Sequence, residues 1–129
     1  MNIYSGTNDG PLAAALTNPT ELARKRGRLL RSYPVRYAGL DWPDAEAAYL
    51  TLKVNTEDAD KLMIEVITAK FTQHPELLSR VSTLGDVAFL ERCRHIVNAK
   101  TAHMRAWEGF GRNSRFIHNL IAAYEAAQR

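Results

Sequence analysis

The sequence predicts a mainly α fold: a compact single-domain helical bundle over residues 1–129, with minor short β-structure in its N-terminal third. Three observations predict it. Apolar residues recur at three- and four-residue spacing in several segments after Trp42, the period of an amphipathic helix. The breakers Gly6, Gly10, Pro11, Pro19, Gly27, Pro34 and Gly39 crowd the N-terminal third and leave it only short elements. The composition, 46% hydrophobic and 24% charged, is that of a chain that folds around a core. A domain of 129 residues buries roughly two thirds of its unfolded surface.

The N-terminal stretch MNIYSGTNDGPLAAALTNP has no basic region followed by a sustained apolar run, so no signal peptide is expected. No apolar segment approaches the roughly 20 residues that span a bilayer. Cys93 is the one cysteine, which excludes an internal disulfide and fits a reducing compartment. A cytoplasmic protein without membrane partners is expected.

ELARKRGRLL (21–30) fits one or two helical turns limited by Gly27, and YPVRYAG (33–39) fits a short extended segment. After Trp42, Pro43 suits a first helical position and Asp44 the first turn, with Ala45, Ala48, Tyr49 and Leu52 as the apolar stripe. The next helix is expected to begin near Asn55 or Thr56, with Glu57 and Asp58 in its first turn. Its stripe is Leu62, Met63, Val66, Ile67 and Phe71, and Lys61 and Lys70 are placed facing out. Pro75 opens a short helix through Leu77, Leu78 and Val81. After Gly85, Phe89, Leu90, Cys93, Ile96 and Val97 share a helical face, which makes Cys93 a small buried hydrophobe and puts His95 in the same helix. Ser114 caps the last helix, whose stripe is Phe116, Ile117, Leu120, Ile121 and Tyr124.

Three short stretches carry chemistry. In WPDAEAAYLTLK, Glu46 and Lys53 lie seven residues apart and leave a helix on one side, their Cα atoms about 10 Å apart. That exceeds the reach of an ordinary helical ion pair; it suits one ligand touching both, and on spacing alone it equally suits two solvated side chains. Glu46 fits stabilisation of an oxocarbenium ion or orientation of a water. Lys53 fits phosphate binding or attack on a sugar aldehyde. In WEGFGRNS, Gly109 and Gly111 precede a helix start, where free N–H groups hold anions; a tight turn with Trp107 in the core and Asn113 or Ser114 as cap fits equally. In LTNPT, Asn18 before Pro19 is a turn element that also presents an amide.

The net charge is +3, and Arg24, Lys25, Arg26, Arg28, Arg31 and Arg36 concentrate the positive charge in one stretch. Such a patch can hold phosphates or simply form a solvated basic surface, and it lacks the spacing of a helix-turn-helix, a zinc finger or an RNA-recognition motif. There is no Gly-x-Ser-x-Gly, Walker loop or His-Glu-x-x-His. The four histidines, His74, His95, His103 and His118, are dispersed, so no metal site is expected.

Together these stretches resemble the NADAR family, named for association with NAD and ADP-ribose. YAGLDWPDAEAAYLTLK looks like its glycine, aromatic-Pro, Glu, Ala-Tyr, Lys pattern. AKFTQHPELL looks like its lysine-phenylalanine helix, and WEGFGRNSRFIHNL like its Trp–Gly–Gly–Asn loop entering the last helix. LTNPT resembles a Ser-Asn turn, with Thr17 where serine is common. The resemblance runs, in order, over most of residues 12–124. It implies a small helical N-glycosidase, a hydrolase of bonds to (phospho)ribose. Its implied substrates are ADP-ribose on guanine in nucleic acid, or a riboflavin-pathway intermediate. It implies Glu46 and Lys53 as the catalytic pair, with Asn18, Trp42, Tyr49, Trp107, Gly109, Gly111 and Asn113 in the pocket and no cofactor. Two other classes remain open: a non-catalytic ADP-ribose or nucleotide-binding module, and a basic nucleic-acid-binding protein.

Overall fold

Eight α-helices and two small antiparallel strand pairs make up the computed structural model, which describes residues 1–129. In chain order they are α1 (Pro11–Ala15), α2 (Thr20–Lys25), β1 (Val35–Tyr37), β2 (Leu40–Trp42), α3 (Ala45–Leu52), α4 (Ala59–Gln73), α5 (Pro75–Leu84), α6 (Val87–Glu91), β3 (Arg94–His95), α7 (Ala102–Arg105), β4 (Gly109–Phe110) and α8 (Arg115–Ala127). The fold is mainly α, as the helical spacing predicts.

The two longest helices, α4 and α8, form the central pair. Leu62, Met63, Val66, Ile67 and Phe71 of α4 are buried, as are Phe116, Ile117, Leu120, Ile121 and Tyr124 of α8. The stripes meet, and the rings of Phe71 and Tyr124 stand edge to face 5.7 Å apart. α3 and β1 lie against α4, and α6 lies against α8. One cluster of 27 buried residues runs from Ile3 to Tyr124, so the irregular N-terminal third shares its core with the helices.

Side-chain caps open four of the eight helices, and two of them shift the expected boundaries. Asp44, not Pro43, begins α3: it is the N-cap, extended in backbone, and its Oδ1 accepts the Ala47 N–H at 2.9 Å. Pro43 therefore precedes the helix. Asp58 caps α4 by accepting the Lys61 N–H, so that helix starts at Ala59 rather than near Asn55. Residues Lys53–Asn55 instead continue α3 as one tighter 3₁₀ turn. Ser114 caps α8 by accepting the Ile117 N–H at 3.1 Å, as expected.

The helix expected through Cys93 and Val97 stops at Glu91. The next backbone groups are claimed from elsewhere. Ile3 donates its N–H to the Arg94 carbonyl, Arg94 donates to the Met1 carbonyl, and Gly111 donates to the Cys93 carbonyl. The Asn2 amide exchanges two hydrogen bonds with the Ile96 backbone. Long-range pairing thus overrides the helical period. His95 sits in β3, and Cys93 is buried there as a small hydrophobe. The β1–β2 hairpin lies where the extended segment was expected. It turns through Ala38 and Gly39, both at positive φ, which is the hairpin geometry that follows strand twist. The second strand pair, β3–β4, lies outside the N-terminal third.

Lys70 overturns its expected place. It is 2% exposed, on the buried face of α4. Its Nζ donates to the carbonyls of Ala15 at 2.5 Å and Thr17 at 2.7 Å, and it stands 5.9 Å from the centre of the Tyr33 ring. Burial lowers its pKa to about 7, with the Asp44 carboxylate opposing.

The folded-state pKa of Lys70 is depressed, so from about 7 up to the ordinary lysine value of about 10.4 the unfolded chain binds the extra proton. Stability should therefore rise with pH across that window. Urea unfolding from about pH 7.5 to about pH 9.5 should show the rise in the native chain and a flatter profile in Lys70→Met. That variant should also lose about 1–3 kcal/mol at the alkaline end, where two buried carbonyls are left without a donor. Identical pH slopes would contradict the assignment.

Candidate active site

The LTNPT turn is fixed from three sides. Lys70 holds the carbonyls of Ala15 and Thr17. The Asn18 carbonyl accepts N–H groups from Thr20 at 2.9 Å and from Glu46 at 3.2 Å. The Asp44 carboxylate serves two helices, capping α3 through Oδ1 and accepting the Glu21 N–H of α2 through Oδ2 at 3.0 Å. The consequence is adjacency: Asn18, from the N-terminal turn, is bonded directly to the residue that carries the candidate carboxylate. Asn18 Oδ1 and Thr20 Oγ1 are buried without a hydrogen-bond partner. Orphaned polar atoms are uncommon in cores and cluster where a fold keeps polar groups for a ligand or a water.

Glu46 is half-buried on the first turn of α3. Its carboxyl makes no hydrogen bond and no ion pair, unlike that of Asp44 two residues earlier. Burial raises its pKa above the ordinary glutamate value; the Asp44 charge raises it further, and Lys53 opposes. Lys53 closes the same helix, and its helical φ and ψ keep it in register with Glu46 across the change to the 3₁₀ turn. Its ammonium stands 5.5 Å from the centre of the Tyr49 ring.

Tyr49 links this pair to the C-terminal loop. Its ring meets Trp107 edge to face at 6.2 Å. The Arg115 guanidinium covers the Trp107 ring at 3.9 Å, and Arg115 Nε donates to Asp60 Oδ1 at 2.7 Å. Asn119 donates to the same oxygen at 3.0 Å. These bonds, that from Arg115 first, hold the Asp60 carboxyl below its ordinary range. Burial raises the Tyr49 pKa, while Arg115 lowers it and Asp60 and Glu46 raise it. The Tyr49 hydroxyl therefore lies in the field of both charged ends.

Of the expected site residues, the structure brings Asn18, Glu46, Tyr49, Lys53 and Trp107 into one run of contacts. The glycines do other work. Gly111 donates its N–H to the Cys93 carbonyl, outside the loop, and Ser114 donates to the Gly111 carbonyl within it, so both amides already have partners. A Cβ on Gly111, whose φ is +53°, would sit 2.5 Å from the Glu91 carbonyl oxygen. One on Gly109 would meet the Ser114 nitrogen at 2.9 Å. Close backbone approach is what requires glycine at both positions. Glu108 accepts backbone N–H groups from Val97 and Ala99, which hold its carboxyl below the usual range. Asn113 is exposed in the 3₁₀ turn before Ser114. Trp42 is half-buried in β2 and donates its indole N–H to the Tyr37 carbonyl.

The arginine stretch is largely paired. Arg24 binds Glu21, Arg31 binds Glu76, Arg36 binds Asp41 and Arg26 donates to Ser5 Oγ. Lys25 and Arg28 have no such partner. His74 and His95 each bond a backbone carbonyl, of Pro34 and Ile3 respectively, and burial lowers the His95 pKa. Two open depressions lie elsewhere, about 390 Å³ beside Glu76 and Arg80 and about 250 Å³ beside Thr7 and Arg28. Neither lining includes Glu46 or Lys53. The uncommitted carboxyl and the orphaned polar atoms mark the candidate site.

Set against protein-family models, curated proteins and solved structures, the chain matches none.

Two outcomes are expected. A carbon-detected titration of the Glu46 carboxyl should give a midpoint above that of ordinary glutamates, and Lys53→Met should move it higher still. Because the folded-state pKa is raised, its stabilising contribution is complete below the unfolded value and is lost as pH rises through the folded one. Glu46→Gln should therefore melt higher than the native chain at about pH 7, and the gain should vanish near pH 3. A normal midpoint with no gain would contradict this environment. Gly111→Ala should destabilise the ligand-free chain by about 1–3 kcal/mol in urea unfolding, as an overpacked contact against backbone does. An unchanged midpoint would remove the packing explanation.

Proposed function

We propose that the protein is an N-glycosidase that hydrolyses the bond between a base and a (phospho)ribose. ADP-ribose on guanine and a riboflavin-pathway intermediate are the substrates considered. The observation that carries this is Glu46: a desolvated carboxyl with no partner of its own, joined by its backbone to the Asn18 turn and sharing a face with Lys53. The family resemblance of the WPDAEAAYLTLK stretch supports the same pair.

In this mechanism the C1′–N bond breaks, and its electron pair stays on the base nitrogen. Positive charge develops at C1′ and the ring oxygen, where the Glu46 carboxylate stabilises it. Water adds to C1′ and gives a proton to Glu46, which passes it to the departing base. Lys53, held at the Tyr49 face, binds a sugar or phosphate oxygen. Its half-exposed position supports that role over imine formation with an opened ribose. The Asn18 amide supplies a polar contact to the sugar or base beside the reacting carbon.

Glu46→Gln should lower kcat on ADP-ribosylated guanine DNA or on riboflavin-pathway intermediates by about 10²–10⁴-fold. Lys53→Ala should act mainly on KM if it binds substrate oxygen. Rate should rise with pH through the elevated Glu46 pKa, since the ionised form is the working one. If both variants fold and keep full turnover, the proposal fails. Calorimetric binding of ADP-ribose with no cleavage would leave a nucleotide-binding module.

A further inference from the structure

We propose that Arg115 is the diphosphate-recognising residue of this site, with the outer edge of its guanidinium taking phosphate oxygens of a ribosylated nucleotide. The identity of that ligand rests on the glycosidase proposal above; the anion-binding role rests on geometry. Arg115 uses Nε for Asp60, while its two terminal nitrogens make no hydrogen bond. The guanidinium carbon stands 3.9 Å from the centre of the Trp107 ring, so the side chain is held between that ring and Asp60. Its side chain is 37% exposed, so the free edge reaches solvent. A fork already oriented by one carboxylate and one aromatic face loses little freedom on binding a second anion.

Position adds to this. Tyr49 lies between Arg115 and Glu46, and its hydroxyl has no hydrogen-bond partner although it feels both charges. Arg115 thus marks one end of a run whose other end is the carboxylate that would face the ribose. The rival phosphate holders fare worse. The Gly111 amide is occupied, and Arg24, Arg26, Arg31 and Arg36, paired with Glu21, Ser5, Glu76 and Asp41, make no contact with Trp107 or Tyr49, whereas Arg115 covers the Trp107 ring that meets Tyr49. Asp60 keeps its bond from Asn119 when Arg115 is replaced, so the substitution orphans no carboxylate.

The test uses the two indole N–H resonances of the full chain, assigned by Trp42→Phe, with calorimetry in parallel. Inorganic pyrophosphate, ADP-ribose and a short single-stranded DNA are titrated separately. Pyrophosphate and ADP-ribose should shift the Trp107 signal saturably, and Arg115→Gln should weaken both at least tenfold. Arg115→Lys should retain part of the affinity, and Arg80→Gln should bind both probes as the native chain does. No Trp107 shift and no heat with either probe would overturn the proposal. So would a loss of binding in Arg28→Gln rather than Arg115→Gln, or DNA binding as tight as that of ADP-ribose. The two proposals fail separately. Anion binding lost in Arg115→Gln, with no bond cleaved by any variant, sinks the glycosidase alone. Cleavage with an unchanged KM in Arg115→Gln sinks the diphosphate role alone.

Discussion

A buried amine holds the N-terminal third to the helical core. Lys70 projects from the apolar face of α4 and binds the carbonyls of Ala15 and Thr17. Those carbonyls end a short helix that has nowhere else to place them, and a hydrocarbon side chain would leave them unpaired. The amine is itself expensive to bury, which its lowered pKa reflects. Fixing this turn places the Asn18 carbonyl against the Glu46 N–H, and the Asp44 carboxylate then ties α2 to α3. A group that looks like a flaw in the core is what gives the candidate site its floor.

Three carboxylates near one another illustrate how partners divide labour. Asp44 accepts two backbone N–H groups, and Asp60 accepts a guanidinium and an amide. Glu46 has neither kind of partner. An ionised carboxylate with filled acceptor sites is a structural strut; one that is desolvated and unengaged retains its capacity to take a proton or face a cation. The distinction comes from hydrogen bonding rather than residue type, since all three lie on or beside the same two helices.

Helical stripes and caps were legible in the sequence because they are local. Ser114, Pro75 and the stripes of α4 and α8 needed only spacing and side-chain chemistry. Lys70 was legible too, and misread. It follows Val66 and Ile67 by four and three residues and precedes Phe71, so the period places it on the apolar face; only its charge argued otherwise. Glu46 and Lys53 share a face for the same local reason. What spacing could not reveal was pairing at a distance. The strand at Arg94–His95 depends on residues 1–3, and Arg115 depends on Asp60, a partner 55 residues away. Neither leaves a periodic trace. The glycines of WEGFGRNS read as an anion loop because their sequence resembles one, while their packing against Glu91 and Ser114 depends on the assembled fold.

The contact between the first residues and the β3 strand also bears on the order of assembly. Ile3 meets His95, 92 residues along the chain, and the turn at Ala15–Thr17 waits for Lys70. Helices such as α4 and α8 can begin from neighbouring residues, but closing loops of that length carries an entropy that only late, cooperative contacts offset. The pairing of the N-terminal segment, including the Asn18 carbonyl with the Glu46 N–H, therefore depends on residues far along the chain. Glu46 and Lys53, by contrast, share a face through one helix alone, so their register is set locally while their neighbours come from distant parts of the chain.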